Sequence, residues 1–324
     1  MGACYGTLGN NLPSPREMIA LCKKHNIRRI RLYDPNPTVL EALQGSGIKV
    51  IVGMVHDDIP GIARDPSLAK SWVQNNILKY KKVNFRYVVI GNEITPSEGD
   101  PSASIAPSVP IAMQHIYDAL SEAGLRGVKV STSLSMNVIA QSYPPSSGAF
   151  KSSYHDSFID PIVKFLVKTE SPFLINVYPY FAYVSDTSDI KLDYALFASH
   201  SVAVKDGPYQ YHSLFDAMVD AVYAALEKVG GANLKVVVSE TGWPSAGGTA
   251  TTVANARTYN SNLIKSVKKG TPRRPRKPIE TYIFDLIDEN NKSPELEKNW
   301  GIFLANKSPK YPLSFVSHKV CRYI

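Results

Sequence analysis

The sequence predicts an α/β fold, a (β/α)8 TIM barrel, from three observations. Eight strand-like runs alternate with helical patterns along 324 residues, and strict alternation of that kind builds parallel βαβ units. The units recur about every 40 residues, as in a (β/α)8 barrel. Two runs, Val88-Val89-Ile90-Gly91-Asn92-Glu93 and Val236-Val237-Val238-Ser239-Glu240, are β-branched stretches that each end on a glutamate. A continuous apolar run marks a strand buried on both faces, and a carboxylate at its carboxyl end faces the mouth of the fold.

The strands are expected at 3–8, 28–33, 48–54, 85–92, 128–133, 173–178, 235–239 and 281–286. Helices are expected at 15–25, 37–43, 66–81, 105–123, 160–168, 214–229 and 254–267. Ser14-Pro15 and Asn36-Pro37 each place proline directly after a capping residue. Gly124 and Gly230 stand where helices stop. A doubly wound open sheet is the alternative, but Gly6-Thr7-Leu8-Gly9 lacks the glycine fingerprint that fold carries after its first strand. Residues 1–324 read as one barrel domain, with a small subdomain after strand six at about 179–213. That interval is too long for a simple loop and leaves from the active-site end of a barrel strand.

Apolar residues make up 44% and charged residues 20% of the chain, as in a globular domain with a large core. No apolar run reaches 18 residues, so no membrane span is expected. Cys4, Cys22 and Cys321 are too few and too scattered for a disulfide framework or a zinc site. Cys22 sits in a helical pattern and reads as a buried thiol. The seven histidines show no metal-ligand spacing. No metal, no cofactor and a monomer are expected. Met1 directly precedes the first strand with no secretory signal before it; the expectation is that it stands where a removed signal ended. The net charge is +8, and Arg273-Arg274-Pro275-Arg276-Lys277 concentrates four cations in a proline-bounded loop. The loop reads as solvated, or as a docking point for a polyanion such as an acidic wall polymer. No aromatic residue interleaves with it, so no nucleic-acid partner is expected.

Catalytic side chains in a barrel come from the carboxyl ends of different strands. Those ends here are Tyr33-Asp34, Asn92-Glu93, Asn176-Val177-Tyr178, Glu240, and Asp288-Glu289-Asn290 with Lys292 beyond. The mouth is therefore acidic and aromatic in a chain that is basic overall. A lone glutamate at a strand end is more often a salt-bridge or loop residue than a catalyst. Two on opposed strands, with an adjacent asparagine and nearby aromatic rings, point to glycosidic bond chemistry. A carboxyl separation of about 5 Å supports retention of configuration, and about 9 Å inversion. Asn92 suits a hydrogen bond to a sugar 2-hydroxyl, and Asn176 is a further candidate substrate contact. Tyr178, Phe181 and Tyr183 read equally as subdomain core or as a platform for sugar rings. Glu289, Lys292 and Glu297 read as a supporting cluster or as a surface ion-pair network. Trp243, before Pro244, reads as a packing residue at a turn or as a substrate contact.

At these residues the chain resembles the plant members of glycoside hydrolase family 17, the endo-β-1,3-glucanases, from Gly2 to Leu313. The longest match is Val236-Val237-Val238-Ser239-Glu240-Thr241-Gly242-Trp243-Pro244-Ser245. Further matches include Cys4-Tyr5-Gly6, Arg31-Leu32-Tyr33-Asp34, Gly91-Asn92-Glu93 and Asn176-Val177-Tyr178-Pro179-Tyr180. The resemblance implies a barrel with an open groove and endo-hydrolysis of β-glucan, fungal wall glucan or callose, with retention. It places the nucleophile on Glu240, the acid/base on Glu93, and the supporting cluster on Glu289, Lys292 and Glu297. Tyr33, Tyr178 and Phe181 would line the groove. The loop 293–296 is about one residue shorter than the common family form, which bears on Glu297, and Trp300 stands where the family often has phenylalanine. The same chemistry admits a mixed-linkage β-1,3-1,4-glucanase or a transglycosylase, and a non-catalytic glucan-binding protein is a further alternative. The resemblance also implies a secreted or vacuolar plant defence protein of a kind that includes allergens. Asn291-Lys292-Ser293 and Asn306-Lys307-Ser308 are sequons, each followed by a proline that disfavours glycosylation.

Overall fold

Eight parallel strands close into a barrel in the computed structural model, which describes residues 1–315. Cys321 lies outside them. The strands are β1 (Gly2–Cys4), β2 (Arg29–Leu32), β3 (Lys49–Met54), β4 (Asn84–Asn92), β5 (Lys129–Ser135), β6 (Phe173–Asn176), β7 (Val236–Thr241) and β8 (Glu280–Ile283). Each pairs with the next, and β8 closes on β1. The strands expected at 3–8 and 281–286 end earlier, because their continuations turn into the mouth. There Leu286 N donates to Cys4 O and Asp285 N to Trp300 O. The strand expected at 235–239 runs two residues further, so Glu240 lies inside β7 and not beyond it.

The helices begin for local reasons. Asn36 Oδ1 accepts from Thr38 N and Val39 N at the start of Pro37–Leu43. Glu17 reaches back to Ser14 N and Oγ at the start of Pro15–Lys24. Ser213 and Thr252 cap Leu214–Lys228 and Val253–Ser266 through Asp216 N and Asn255 N. Pro66–Asn76 is shorter than expected, its last turn tightening into the 3₁₀ turn Leu78–Tyr80. Periodicity missed the short helix Ile59–Arg64 and the two-stranded pairing of Ile139–Gln141 with Ala149–Phe150. Each is too short to complete a pattern.

The segment 179–213 has its own structure: helices Pro179–Ser185 and Leu192–Ala195, then the hairpin Val204–Asp206 with Tyr209–Tyr211. Its buried Tyr194 and Tyr211 pack against Ala217 of the helix Leu214–Lys228. Cys4 and Cys22 are both buried free thiols, and burial pushes the Cys22 thiol up to about 12. No helix among the described residues is long and apolar enough to cross a membrane.

The amino-terminal end of the barrel is held by one carboxylate. Glu280 accepts two hydrogen bonds from Arg86 Nε and Nη2, at 2.9 and 2.6 Å to its two oxygens. It also accepts the hydroxyls of Tyr87 and Tyr282. Burial opposes ionisation of Glu280, but the hydrogen bonds and charge of Arg86 prevail and hold its carboxyl below the usual range. Glu280→Ala is expected to lower unfolding stability at neutral pH by about 2 kcal/mol, between the exposed and buried limits for ion pairs. A depressed carboxyl stabilises the fold above the unfolded-state pKa, about 4.3 for glutamate. That contribution is lost as pH falls through the folded-state value. Urea titrations of both proteins across that range should therefore show the gap closing on acidification, and a pH-independent gap would refute the assignment.

Candidate active site

At the opposite end, both glutamates are delivered by irregularities in their strands. The β4–β5 register shifts between Val89 and Asn92, and Gly91 takes a φ of +74° within the bulge. Glycine is required there: the φ is left-handed, and an added Cβ would meet the Ile94 side chain at 2.3 Å. Glu93 itself has a φ of 56°, a strained conformation for a side-chain-bearing residue, pinned by its N–H donating to Ser133 O at 2.7 Å. The register of β7 shifts against β6 between Val238 and Glu240, and against β8 between Val238 and Thr241. Bulges next to active sites re-aim side chains, and here they turn both glutamates into one cleft.

Between them lies Arg31, 2% exposed in the middle of β2. Its Nη1 donates to Glu240 Oε1 at 2.7 Å, to Asn176 Oδ1 at 3.0 Å and to Ser239 O at 3.1 Å. Its Nη2 donates to Asn92 Oδ1 at 2.7 Å. Glu240 accepts two further hydrogen bonds, from Tyr33 Oη to Oε1 at 2.8 Å and from Tyr178 Oη to Oε2 at 2.7 Å. Three donating side chains face it, the partner set of a carboxylate. Sequence reasoning quoted Arg31 only within a longer match. The signal was present, because a cation in a strand buried on both faces needs a buried anion.

Asn176 links the glutamates. Its Oδ1 accepts from Arg31, Ser133 Oγ and Ser239 Oγ, and its Nδ2 donates to Glu93 Oε1 at 2.8 Å and Asn92 Oδ1 at 3.1 Å. Glu93 stands exposed as a residue, but its carboxyl is crowded by the cleft wall. That desolvation, and then the charge of Glu240, push its pKa up against the opposing pull of Asn176 and Arg31.

The remaining expected residues divide. Tyr33, Asn92 and Tyr178 are partly open to the mouth, and Phe181 is 45% exposed beside Tyr178. Asn176 is buried at the cleft wall with both its amide atoms engaged by neighbouring side chains, and it orients Glu93. Trp243 is fully buried, donates to Ala250 O and packs on Tyr180 and Tyr259. It supports the floor of the cleft, and its expected substrate contact is corrected accordingly. Trp300, also buried, backs the ring of Tyr178.

Glu289, Lys292 and Glu297 are not a surface network, since Glu289 is 3% exposed. It accepts from Leu8 N at 2.6 Å and from Lys292 Nζ at 2.9 Å. Lys292 also lies 4.3 Å above the Phe284 ring. Asp285, which sequence reasoning missed, completes this corner. Burial and the charge of Glu289 push its carboxyl well up, while Glu289 is held below the usual range despite its own burial. Of the two carboxyls, Glu289 is the one that Lys292 Nζ and Leu8 N meet. Burial raises the Glu297 carboxyl against the pull of Lys292. It lines the same cleft as Glu93, Glu240, Tyr178, Phe181 and Trp300, a space of about 1490 Å³ running on beneath the subdomain.

Known proteins match this arrangement along the whole chain. The model of Glycosyl hydrolases family 17 matches residues 1–315. A probable glucan endo-1,3-beta-glucosidase of Arabidopsis thaliana is 50% identical, covering 97% of this chain and 90% of its own length. The basic vacuolar isoform of glucan endo-1,3-beta-glucosidase from Nicotiana plumbaginifolia is 51% identical, covering 97% of this chain and 86% of its own length. Among solved structures, a beta-1,3-glucanase and allergen of Cryptomeria japonica pollen superposes with a TM-score of 0.93 at 45% identity, over 97% of this chain and 98% of its own. A matching barrel, a cleft with paired glutamates and a family match across all described residues make this chain a member of glycosyl hydrolases family 17, an enzyme that cleaves glycosidic bonds.

Proposed function

We propose that the chain is an endo-β-1,3-glucanase that cuts internal linkages by double displacement with retention. The observation that carries this reading is the opposed environment of the two carboxyls in one cleft. Glu240 accepts from three donating side chains, and Glu93 is pushed toward its protonated form. Environments that separate two carboxyls in this way assign nucleophile and acid. The β-1,3 linkage rests on the relatives, which bear the name glucan endo-1,3-beta-glucosidase. Endo cleavage accords with a cleft larger than the usual 300–1000 Å³ of small-molecule pockets. The vacuolar relative supports a vacuolar or secreted destination.

In the first step Glu240 attacks the anomeric carbon while Glu93 gives its proton to the glycosidic oxygen. The carbon–oxygen bond breaks and the reducing-end segment leaves. Glu240 Oε1 already accepts from Arg31 and Tyr33, whereas Oε2 accepts only from Tyr178. Oε2 is therefore the attacking oxygen. In the second step Glu93, now a carboxylate, takes a proton from water, whose oxygen attacks the same carbon and releases Glu240. Asn92 stands beside Glu93, where its free amide hydrogens can bond the 2-hydroxyl of the sugar under attack. Lys292, paired with the buried Glu289, braces the wall behind the cleft rather than touching the bound chain.

On linear β-1,3-glucan the protein is expected to release oligosaccharides of several lengths, and Glu240→Ala none. Faster cleavage of mixed-linkage glucan in a parallel digest would reassign the linkage, and near wild-type rates in the variant would remove Glu240 as nucleophile. Proton NMR during early hydrolysis should show the β-anomer forming first; initial α-anomer would mean inversion. Glu93→Gln should slow glucan cleavage by about 10²–10⁴. It should act much better on a β-glucoside whose leaving group needs no proton, and there the alkaline limb of the pH profile should vanish. The sign follows from the raised Glu93 pKa. The acid stays protonated above the ordinary carboxylate range, and activity falls as pH rises through its pKa. A surviving alkaline limb in this variant would give that titration to another group.

A further inference from the structure

The charge of +8 is segregated between the two ends of the barrel. The cleft is lined by Glu93, Glu240, Glu297, Asp186, Asp189 and Asp193, with Lys191 its one cationic lining residue. The opposite face gathers cations where helices hand over to strands. The segment leading into β2 presents Lys23, Lys24 and Arg28, all exposed. The segment leading into β8 presents Lys268, Lys269, Arg276 and Lys277, also exposed. β2 and β8 flank β1 on either side, so the two segments border one patch. Neither 23–28 nor 265–278 contains an acid, and none of the seven cations makes an ion pair among the described residues. The nearby carboxylate, Glu280, is already committed to Arg86.

The segment before β8 is braced and not loose. Arg273 and Arg274 turn inward to Glu227 and cover the rings of Tyr209 and Tyr223. Arg273 N donates to Asp220 Oδ2 at 2.9 Å, and Arg276 N reaches across the loop to Lys269 O at 2.7 Å. Two arginines of the proline-bounded loop thus hold it in place while the other cations stand unpaired in solvent. Cations positioned in advance lose little freedom on binding an anion. Helix dipoles account for cations in the last helical turn, as at Lys23 and Lys24. They do not account for Arg276 and Lys277, which lie ten residues and more beyond the helix end at Ser266.

We propose that this face docks the enzyme onto a linear polyuronate, leaving the acidic cleft turned away and open to neutral glucan. Five of the seven cations are lysines, compact charges suited to carboxylates spaced along a flexible chain and less suited to bidentate phosphate recognition. No large hydrophobic side chain is exposed in either segment, so the patch offers neither a stacking platform for bases nor a wedge for a bilayer. The acidic cleft repels the same polyanion, so the docking chain does not compete as a substrate.

The test is retention on immobilised de-esterified polygalacturonate, with its fully methyl-esterified form as the uncharged control. The wild-type protein is expected to bind the de-esterified polymer at about 0.15 M salt and to release as salt rises. The variant Lys268→Ser/Lys269→Ser/Arg276→Ser/Lys277→Ser should bind about tenfold more weakly or worse, with a shallower salt dependence. Its hydrolysis of soluble neutral glucan should be unchanged. A second variant, Arg64→Ser/Lys164→Ser/Lys205→Ser/Arg257→Ser, loses the same charge from exposed cations elsewhere and should bind like wild type. Equal losses in the two variants would reduce the effect to net charge and overturn the proposal, as would equal binding to the methyl-esterified polymer. Comparable affinity for duplex DNA or anionic-lipid vesicles at the same salt would overturn the assignment to a polyuronate. Binding that survives in a Glu240→Ala protein separates docking from catalysis, so failure of either reading is distinguishable from failure of the other.

Discussion

The buried pair of Arg31 and Glu240 organises the upper half of the barrel. A guanidinium and a carboxylate taken out of water are tolerable only with close geometry and every remaining donor engaged. Arg31 approaches that condition by spreading its two terminal nitrogens over Glu240, Asn176, Ser239 and Asn92. The consequence reaches past the pair. Because Arg31 and two serine hydroxyls all donate to Asn176 Oδ1, that amide has one allowed orientation, with its NH₂ toward Glu93. A cation on the second strand thereby determines which group meets a carboxyl on the fourth. Loss of either member of the pair would leave a bare charge inside the barrel at a cost of about 3–5 kcal/mol, and would release the amide as well.

The two ends of the barrel use the same chemistry for different purposes. At the base, Glu280 is a carboxylate enclosed by its partners, and its ionisation belongs to stability. At the mouth, Glu93 is held with a single side-chain donor beside a like charge, an arrangement unfavourable to the ion and suited to giving up a proton. Asp285 and Glu289 form an intermediate case, two neighbouring carboxyls of which burial and the charge of Glu289 push Asp285 up while, against its own burial, Lys292 and Leu8 N hold Glu289 down. Buried acids are not one class, and what separates them is how many donors each can reach.

Much of this was legible in the chain. Alternating periodicity predicts the barrel, and β-branched runs ending at Glu93 and Glu240 predict two carboxyls in one cleft, because strand ends in this architecture converge on one mouth. The helix at 37–43 matches its expected bounds because Asn36 and Pro37 are purely local signals. What escaped reading depends on contacts between residues far apart in sequence. Arg31 is legible as a cation in need of a buried anion and Asn176 as a residue of the mouth, but the partners each takes appear only when the strands close around them. Trp243 reads equally as a packing residue or a substrate contact until Tyr180 and Tyr259 are seen to cover it. Asp285 carries no signal at all outside its pairing with Glu289. The basic loop read correctly as a cluster, but which of its arginines were already spent on Glu227 was invisible.

The bulges in β4 and β7 make the site vulnerable in an unequal way. Side chains alternate between the two faces of a strand, so a shift of one residue turns every following side chain to the opposite face. Glu93 and Glu240 each lie at a place where one extra residue has been absorbed. Removing that residue would leave an unbroken, more regular ladder and would direct the glutamate outward, toward the surrounding helices. Single-residue deletions at 89–92 or 238–240 would thus yield a well-formed barrel with no active site. The side chains around the cleft are separable contributions, whereas the length of these two short stretches fixes the direction of both glutamates at once.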